Sequence, residues 1–442
     1  MHRRPITFGT DGVRGIANAG LIPEDALRLG LAAARGFGGP ILIGRDTRLS
    51  GGMLASALAA GAASGGARVI DAGVLPTPGV AALAPRLGAA AAGVVSASHN
   101  PYPDNGIKFF AGDGRKLSDA KERQIEALAA DTDPERPTRS GIGAVERLDG
   151  ATSLYVDGLL SRLRPRVAGM KVLLDCANGA AYEAAPMAFK ELNVDLTVVG
   201  DGPDGTNINE GCGSTHVLSL DASGYDVAFA FDGDADRVLA KDEKGNVVDG
   251  DGIIAILARD LAERGVLEGG VVVTVMTNLG FFKAMESMNI PYEVTPVGDR
   301  HVAEAMRERR VALGGEQSGH VILSEHVTTG DGMVTALALL DVIARSGRPL
   351  SELAGVMEVY PQELINVTVA DAASAKRLAA SPAVDRAVSE AEKRLGEEGR
   401  ILLRPSGTEP VVRVMVEHAD QDMCRGVCEE VARVVGEAEV RA

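Results

Sequence analysis

DVAFAFDGDADR, residues 226–237, is the stretch on which the fold turns. The apolar run VAFAF has the length of a buried strand, and it ends abruptly in polar residues. Three aspartates then stand at alternate positions, Asp232, Asp234 and Asp236, with Gly233 between them and Arg237 behind. A buried strand whose C-terminal end carries chemistry predicts an open parallel sheet of the α/β class, where ligands gather beyond the strand ends. Oxygen donors in a glycine-containing turn suit a hard cation such as Mg²⁺. The EF-hand loop also opens D-x-D-x-D. Here Arg237 stands where that loop needs its glycine, and VLA comes next where further ligands belong. An acidic surface turn would not explain three carboxylates directly behind FAF.

Working outward, other short apolar strands end in the same way. ILIG (41–44) runs into RDTRLSGG, and ARVIDAG comes after a helix. GVVS (93–96) runs into ASHNPYPDNGIKFF, KVLLD (171–175) into CANGA, VVVTVM (271–276) into TN, and VALGG (311–315) into EQSGH. Strands alternating with helices predict mostly parallel sheets. ILIG pairs with GVVS, KVLLD with DVAFAFD, and VVVTVM with VALGG, each 40–55 residues apart. This spacing predicts three similar α/β units, each with one functional loop. The chain then changes character. YPQELINVTV leads into an Ala/Glu/Arg-rich helical stretch over roughly 371–399, succeeded by RILLRPSGTEPVVRVMVEH and a terminal helix. That reads as a smaller α+β domain. The predicted domain limits are 1–150, 151–250, 251–365 and 366–442, with an exposed loop at DTDPERPTRSG (131–141).

The bulk properties set limits. With 442 residues and a formal charge of −16, the chain lacks the basic footprint of a nucleic-acid binder, and an anionic substrate must meet local arginines. No tryptophan and 3% aromatics leave packing to Ala, Val, Leu and Ile, and 54 glycines suggest close backbone approaches. Cys176, Cys212, Cys424 and Cys428 form no CxxC pair, and reduced thiols are expected. The opening MHRRPITFGTDGVRG has no signal-peptide core, and ALAAGAAS (57–64) reads as a glycine-broken helix too short to span a bilayer. A cytoplasmic protein with no membrane partner is the expectation.

Four further segments carry chemistry. Ser98 leaves a strand directly before His99, with Lys108 ten positions on. A turn hydroxyl, an acyl nucleophile and a phosphate carrier are the three readings. The GxSxG elbow of an acyl nucleophile is absent. A phosphate carrier needs a metal or cations and an acid/base, which the aspartates, Arg14, Arg237, His99 and Lys108 could supply. RPSGTEPVVR (404–413) reads as a strand–turn–strand anion nest, with Arg404, Ser406, Gly407, Thr408 and Arg413 as candidate phosphate ligands. GGEQSGH (314–320) sets Glu316 and Ser318 at alternate positions, suited to sugar hydroxyls, while His320 reads equally as structural or as a contact. FGTDGVRG (8–15) puts Arg14 in a glycine-framed loop.

Taken in order, FGTDGVRG, ASHNP, DGDADR, GEQSGH and RPSGTEP resemble the α-D-phosphohexomutase superfamily over almost the whole chain. The resemblance implies three similar mixed/parallel α/β domains and a smaller C-terminal α+β domain around a central cleft. It also implies phosphoserine at Ser98, and one Mg²⁺ held by Ser98, Asp232, Asp234 and Asp236. Proton transfer or phosphate contact would fall to His99 and Lys108, and Arg14 and Arg237 would lie near the transferring group. Sugar contacts fall to Glu316 and Ser318, and the non-reacting phosphate to Arg404, Ser406, Gly407, Thr408 and Arg413. Segments DGTNINEGCGSTH (204–216), VGDRHV (297–302) and TTGDGM (328–333) resemble the branch acting on amino sugar phosphates; VILSEH after GEQSGH, and RHV, are small departures. The implied reaction interconverts glucosamine 6-phosphate and glucosamine 1-phosphate for UDP-N-acetylglucosamine and cell-wall synthesis, with glucose or glucosamine 1,6-bisphosphate as activator. A homodimer is the candidate assembly. Alternatives are a mannose or glucose phosphate mutase, a non-catalytic sugar-phosphate sensor, and a phosphatase with an aspartyl nucleophile in DGDADR. The leading reading expects the Ser98 hydroxyl to be open to substrate and within a bridging ion's reach of the aspartates.

Overall fold

The computed structural model describes residues 5–9, 11–406 and 410–441. These form two compact units. The first comprises residues 1–276 with 288–356, the second 277–287 with 357–442.

Three sheets make up the first unit. Strands β1 (Val13–Ile16), β2 (Ile41–Arg45), β3 (Val69–Val74), β4 (Ala91–Val95), β5 (Asp104–Ala111) and β6 (Val145–Arg147) form one, in the order β1-β5-β4-β2-β3-β6. Strands β7 (Lys171–Asp175), β8 (Asp195–Val199), β9 (Val227–Phe231), β10 (Val238–Asp242) and β11 (Val247–Val248) form the second, ordered β11-β10-β9-β7-β8. The third contains β12 (Val271–Thr274), β13 (Tyr292–Thr295), β14 (Leu313–Gly315) and β15 (Val321–Leu323), ordered β13-β12-β14-β15. One four-strand pattern recurs in all three: a first strand lies parallel to the second and third, and a fourth turns back antiparallel to the third. The repeat expected from strand spacing is therefore present. The first and third strands of each unit are the pairs picked out in the sequence, and Ser98, DGDADR and EQSGH come after the third strand each time. The returning strands β5, β10 and β15 make the sheets mixed, in keeping with the mixed/parallel α/β domains expected. The third strands β4 and β9 are buried along their whole length, which explains their unbroken apolar sequence.

Two local expectations are corrected. Arg14 lies on edge strand β1, whose Arg14 faces Gly106 of β5, rather than in a loop. ALAAGAAS belongs to an unbroken helix, Gly51–Ser64. Gly61 does not break it; a Cβ there would lie 1.9 Å from the Leu27 carbonyl oxygen, and one on Gly30 would lie 2.0 Å from that of Leu58. The helices Pro23–Phe37 and Gly51–Ser64 thus touch backbone to backbone, with Leu29, Leu54 and Leu58 fully buried around the contact. Small residues let elements approach closely in a chain with few aromatics.

The second unit carries β16 (Gln362–Thr368), β17 (Gly399–Pro405) and β18 (Val411–His418) in an antiparallel sheet ordered β16-β18-β17. The helical stretch splits at Ser381, which caps helix Pro382–Leu395. Val412, Val414 and Val416 point from β18 into a core shared with Cys424, Val427, Cys428 and Val431 of the terminal helix. All four cysteines are free, and Cys424 and Cys428 are buried in that core. No helix among the described residues is long and apolar enough to cross a membrane.

Candidate active site

The serine turn begins where β4 ends. Ser98 adopts φ 51°, a left-handed conformation that costs a non-glycine residue about 1–3 kcal/mol and is retained where surroundings enforce it. Its hydroxyl donates to Asp232 Oδ2 at 2.6 Å, and its backbone N–H donates to Ser96 Oγ at 2.9 Å. The DGDADR loop can come this close because residue 233 is glycine: a Cβ there would lie 2.6 Å from the Ser98 carbonyl oxygen. Serine and aspartates are thus as close as the sequence reading requires. The expectation of an open hydroxyl is not met. Ser98 is 2% exposed, with its Oγ turned onto Asp232.

Asp232, Asp234 and Asp236 are all buried, and one oxygen from each lies within 4.8 Å of the others. Asp234 Oδ1 and Asp236 Oδ1 are buried with no hydrogen-bond partner among the described residues. Two orphaned carboxylate oxygens in an oxygen-only cluster are a fit for a hard divalent cation. Burial, then the neighbouring carboxylates, holds Asp232 well above the usual carboxylate range; Asp236 is raised for the same reasons. Asp234 is lowered: burial opposes this but is outweighed by Lys108 and by Thr77.

Lys108 lies on β5 and reaches Asp234 Oδ2 at 2.8 Å and Asp236 Oδ2 at 3.6 Å. Burial alone would lower its pKa, but Asp11, Asp234 and Asp236 raise it, so it is held as an ammonium ion. His99 Nδ1 lies 3.3 Å from both Ser98 Oγ and Arg237 Nη1. A guanidinium can only donate, so Nδ1 is the acceptor in that second contact. Burial, then Arg237 and Arg14, lowers the His99 pKa to about 4. Arg14 pairs with Asp11 and reaches Asn100 Oδ1 at 3.5 Å, alongside the serine turn.

The third loop adjoins the second. Val238 N–H, one residue past Arg237, donates to the Gly319 carbonyl at 3.2 Å. Glu316 Oε1 accepts from Gly298 N–H at 3.1 Å, and Ser318 is exposed. His320 is not a satisfied structural histidine: its ring is buried, neither nitrogen makes a hydrogen bond among the described residues, and Nε2 lies 3.5 Å from Asp299 Oδ2.

In the second unit, Arg404 and Arg413 face each other across β17 and β18. Burial, then Arg413, lowers the Arg404 pKa. Ser406 is buried, and its N–H donates to the Val411 carbonyl at 2.9 Å. Gly407 and Thr408 lie outside the described residues.

Several contributors are not conspicuous in the sequence. Thr77 Oγ1 donates to Asp234 Oδ2 at 2.6 Å. Lys116 bridges Asp11 and Asp299. Arg300 of VGDRHV pairs with Asp119 and Glu122, a tie between helices of the first unit. The proline after Thr77, which starts a helix, is the one local signal; the others are single polar residues whose partners are distant in sequence.

Strand-end loops bringing a hydroxyl, a carboxylate cluster and guanidinium groups together define a protein built for phosphoryl-group chemistry. The chain matches phosphoglucomutase/phosphomannomutase alpha/beta/alpha domain I over residues 5–136, domain II over 153–245, domain III over 249–360 and the C-terminal domain over 364–434. The chain belongs to the phosphoglucomutase/phosphomannomutase family. It is 71% identical over 432 residues to a phosphoglucosamine mutase of Rubrobacter xylanophilus, covering 98% of this chain and 97% of that one. A phosphoglucomutase/phosphomannomutase family protein of Burkholderia thailandensis superposes with TM-score 0.84 at 25% identity, covering 98% of each chain. Aspergillus fumigatus N-acetylphosphoglucosamine mutase, solved with GlcNAc-6P and magnesium, superposes with TM-score 0.74 at 20% identity, covering 99% of this chain and 96% of that one; at that identity the likeness is one of fold.

Proposed function

We propose that this chain is an isomerase that interconverts glucosamine 6-phosphate and glucosamine 1-phosphate through phospho-Ser98 and a bisphosphorylated sugar. The product would feed UDP-N-acetylglucosamine synthesis in the cytoplasm. The observation that carries the reading is the Ser98 hydroxyl at 2.6 Å from Asp232, within a three-carboxylate cluster. Family membership and the 71% identical phosphoglucosamine mutase support the reaction and the sugar.

In the forward half-reaction the P–Oγ bond of phospho-Ser98 breaks, and a bond forms from phosphorus to the free hydroxyl of the bound sugar phosphate. The hydroxyl's proton passes to a basic group, for which neutral His99 is the proposed carrier; Lys108, held as an ammonium ion, is the proposed phosphate contact, and the released Ser98 Oγ takes up a proton in exchange. The bisphosphate turns over, gives its other phosphoryl group to Ser98, and leaves as the isomer. Such transfer asks chiefly for alignment and charge neutralisation. Arg14 and Arg237 neutralise the phosphoryl oxygens, and Lys108 holds Asp234 in place. A Mg²⁺ bound by Asp232, Asp234, Asp236 and a phospho-Ser98 oxygen would supply further neutralisation. Glu316 and Ser318 are assigned to sugar hydroxyls, and Arg404, Ser406, Gly407, Thr408 and Arg413 to the non-reacting phosphate. A remote anchor of this kind provides binding energy usable for alignment. Because Ser98 is buried with its hydroxyl on Asp232, reaction with substrate requires that hydroxyl to leave Asp232.

Glucose or glucosamine 1,6-bisphosphate is the proposed source of the first phosphoryl group, and a homodimer the proposed assembly. The four-domain division at 150, 250 and 365 accompanies this reading. Steady-state kinetics with glucosamine, glucose and mannose phosphates test the sugar: the highest kcat/KM should fall on glucosamine phosphates, and preference for a neutral sugar would overturn the assignment.

A further inference from the structure

The serine turn is held by two side chains that take no part in the phosphoryl transfer itself. Arg48, in the segment after β2, is buried, and all five N–H bonds of its guanidinium find acceptors. Nε donates to Asp46 Oδ2 at 2.9 Å. Nη2 donates to the carbonyls of Ser98 and Asn100, both at 2.8 Å, and Nη1 to those of Pro101 at 2.6 Å and Asp104 at 3.1 Å. Asn209, from the NINEG stretch beyond β8, approaches from another side. Its Nδ2 donates to the same Ser98 carbonyl at 2.9 Å and the same Asn100 carbonyl at 3.1 Å. Asp46 closes the system by accepting from Ser96 Oγ at 2.6 Å, while Ser96 Oγ accepts from Ser98 N–H.

We infer that Arg48 and Asn209 are positioning residues for Ser98, a carbonyl clamp that imposes its left-handed backbone and so carries its hydroxyl to the aspartates. Ser98 has φ 51° without being glycine, and serine has no intrinsic preference for that state. Rotation to an ordinary backbone conformation would turn its carbonyl away from two donors at once. With N–H and C=O both fixed, only the side-chain torsion remains, and Oγ falls 2.6 Å from Asp232. Lysine cannot replace Arg48, since three donors on one nitrogen do not reach four carbonyls and a carboxylate. Asn209 itself stands at φ 58°, so asparagine suits the position twice over.

This inference rests on Ser98 as the phosphoryl carrier, and the experiment separates the two. Full-length wild type, Asn209→Ala, Asn209→Asp and Arg48→Lys are incubated with glucose 1,6-bisphosphate and Mg²⁺. Labelling of Ser98 is followed by intact mass against time, and kcat and KM for glucosamine 6-phosphate are measured on the same samples. For Asn209→Ala, the labelling rate and kcat should fall roughly tenfold or more, with KM within about twofold of wild type, as misalignment of a reacting group predicts. Asn209→Asp, which sets a carboxylate against two carbonyls, should fall further. If Arg48→Lys does not fold, the Asn209 variants decide. Labelling and kcat at wild-type levels, or a raised KM with unchanged kcat, overturn the clamp alone. A wild type that takes no label on Ser98 overturns the carrier assignment and the clamp with it.

Discussion

The hydroxyl of Ser98 donates to Asp232 Oδ2 at 2.6 Å, across 134 residues of chain. This bond joins the third-strand loops of two repeated units, the serine turn after β4 and the acidic turn after β9. Neither loop makes a site alone. The serine turn has no carboxylate cluster of its own to hold a metal, and the aspartates have no group to act upon.

Asp234 and Asp236 each bury an oxygen with no hydrogen-bond partner among the described residues. Removing a carboxylate should therefore weaken a divalent cation directly. For Asp234→Ala, Mn²⁺ binding measured by electron paramagnetic resonance should weaken roughly tenfold or more, and mutase activity at limiting Mg²⁺ should collapse. Treatment of wild type with EDTA should abolish transfer, and Mg²⁺ should restore it. Unchanged Mn²⁺ affinity in the variant would contradict the metal assignment.

Arg404 and Arg413 lie directly opposite on β17 and β18. In Arg413→Ala the rise in Tm produced by inorganic phosphate should shrink relative to wild type. KM for glucosamine 6-phosphate should rise roughly tenfold or more, as loss of a charged phosphate contact predicts. A phosphate-induced shift equal to that of wild type would remove Arg413 from the anchor.

Asp331 caps the helix Gly332–Ser346 by accepting from the N–H groups of Met333 and Val334, and it also accepts from Tyr155 O–H at 2.8 Å. Burial raises its pKa to about 6, with Asp236 adding to the rise and the hydrogen bonds opposing it. A carboxyl whose folded pKa exceeds its unfolded value binds its proton more tightly when folded. Its contribution is therefore fully present below the unfolded pKa, about 4, and is lost as pH rises through about 6. Asparagine keeps the cap without titrating. Relative to Asp331→Asn, the wild type should lose on the order of 2–3 kcal/mol between those limits, read from urea denaturation in EDTA. A difference between the two proteins that does not change with pH would contradict this.

Much of this architecture is legible from strand ends. VAFAF, GVVS and VALGG are apolar because β9, β4 and β14 are buried, and the residues beyond each are polar because they face the site. The returning strands β5, β10 and β15 are less visible, since their antiparallel pairing depends on neighbours and not on their own pattern. Arg14 reads as loop because a four-residue edge strand that itself contains Gly15 has too short a pattern to register. Gly61 reads as a helix breaker because a close helix contact cannot be seen from one helix. In the site, residues clustered in sequence stand out, and isolated ones do not. Arg48 and Asn209 sit within chemically loaded segments, yet their partners lie up to 111 residues away. The burial of Ser98 is hidden for the same reason: its cover comes from other parts of the chain.

Ser98 receiving a phosphoryl group is the central claim. Intact mass after incubation with glucose 1,6-bisphosphate and Mg²⁺, with peptide mapping of the product, tests it most directly. Wild type should gain one phosphate, located on Ser98, and Ser98→Ala should gain none. Equal labelling of the two proteins, or label recovered on Asp232 instead, would contradict it.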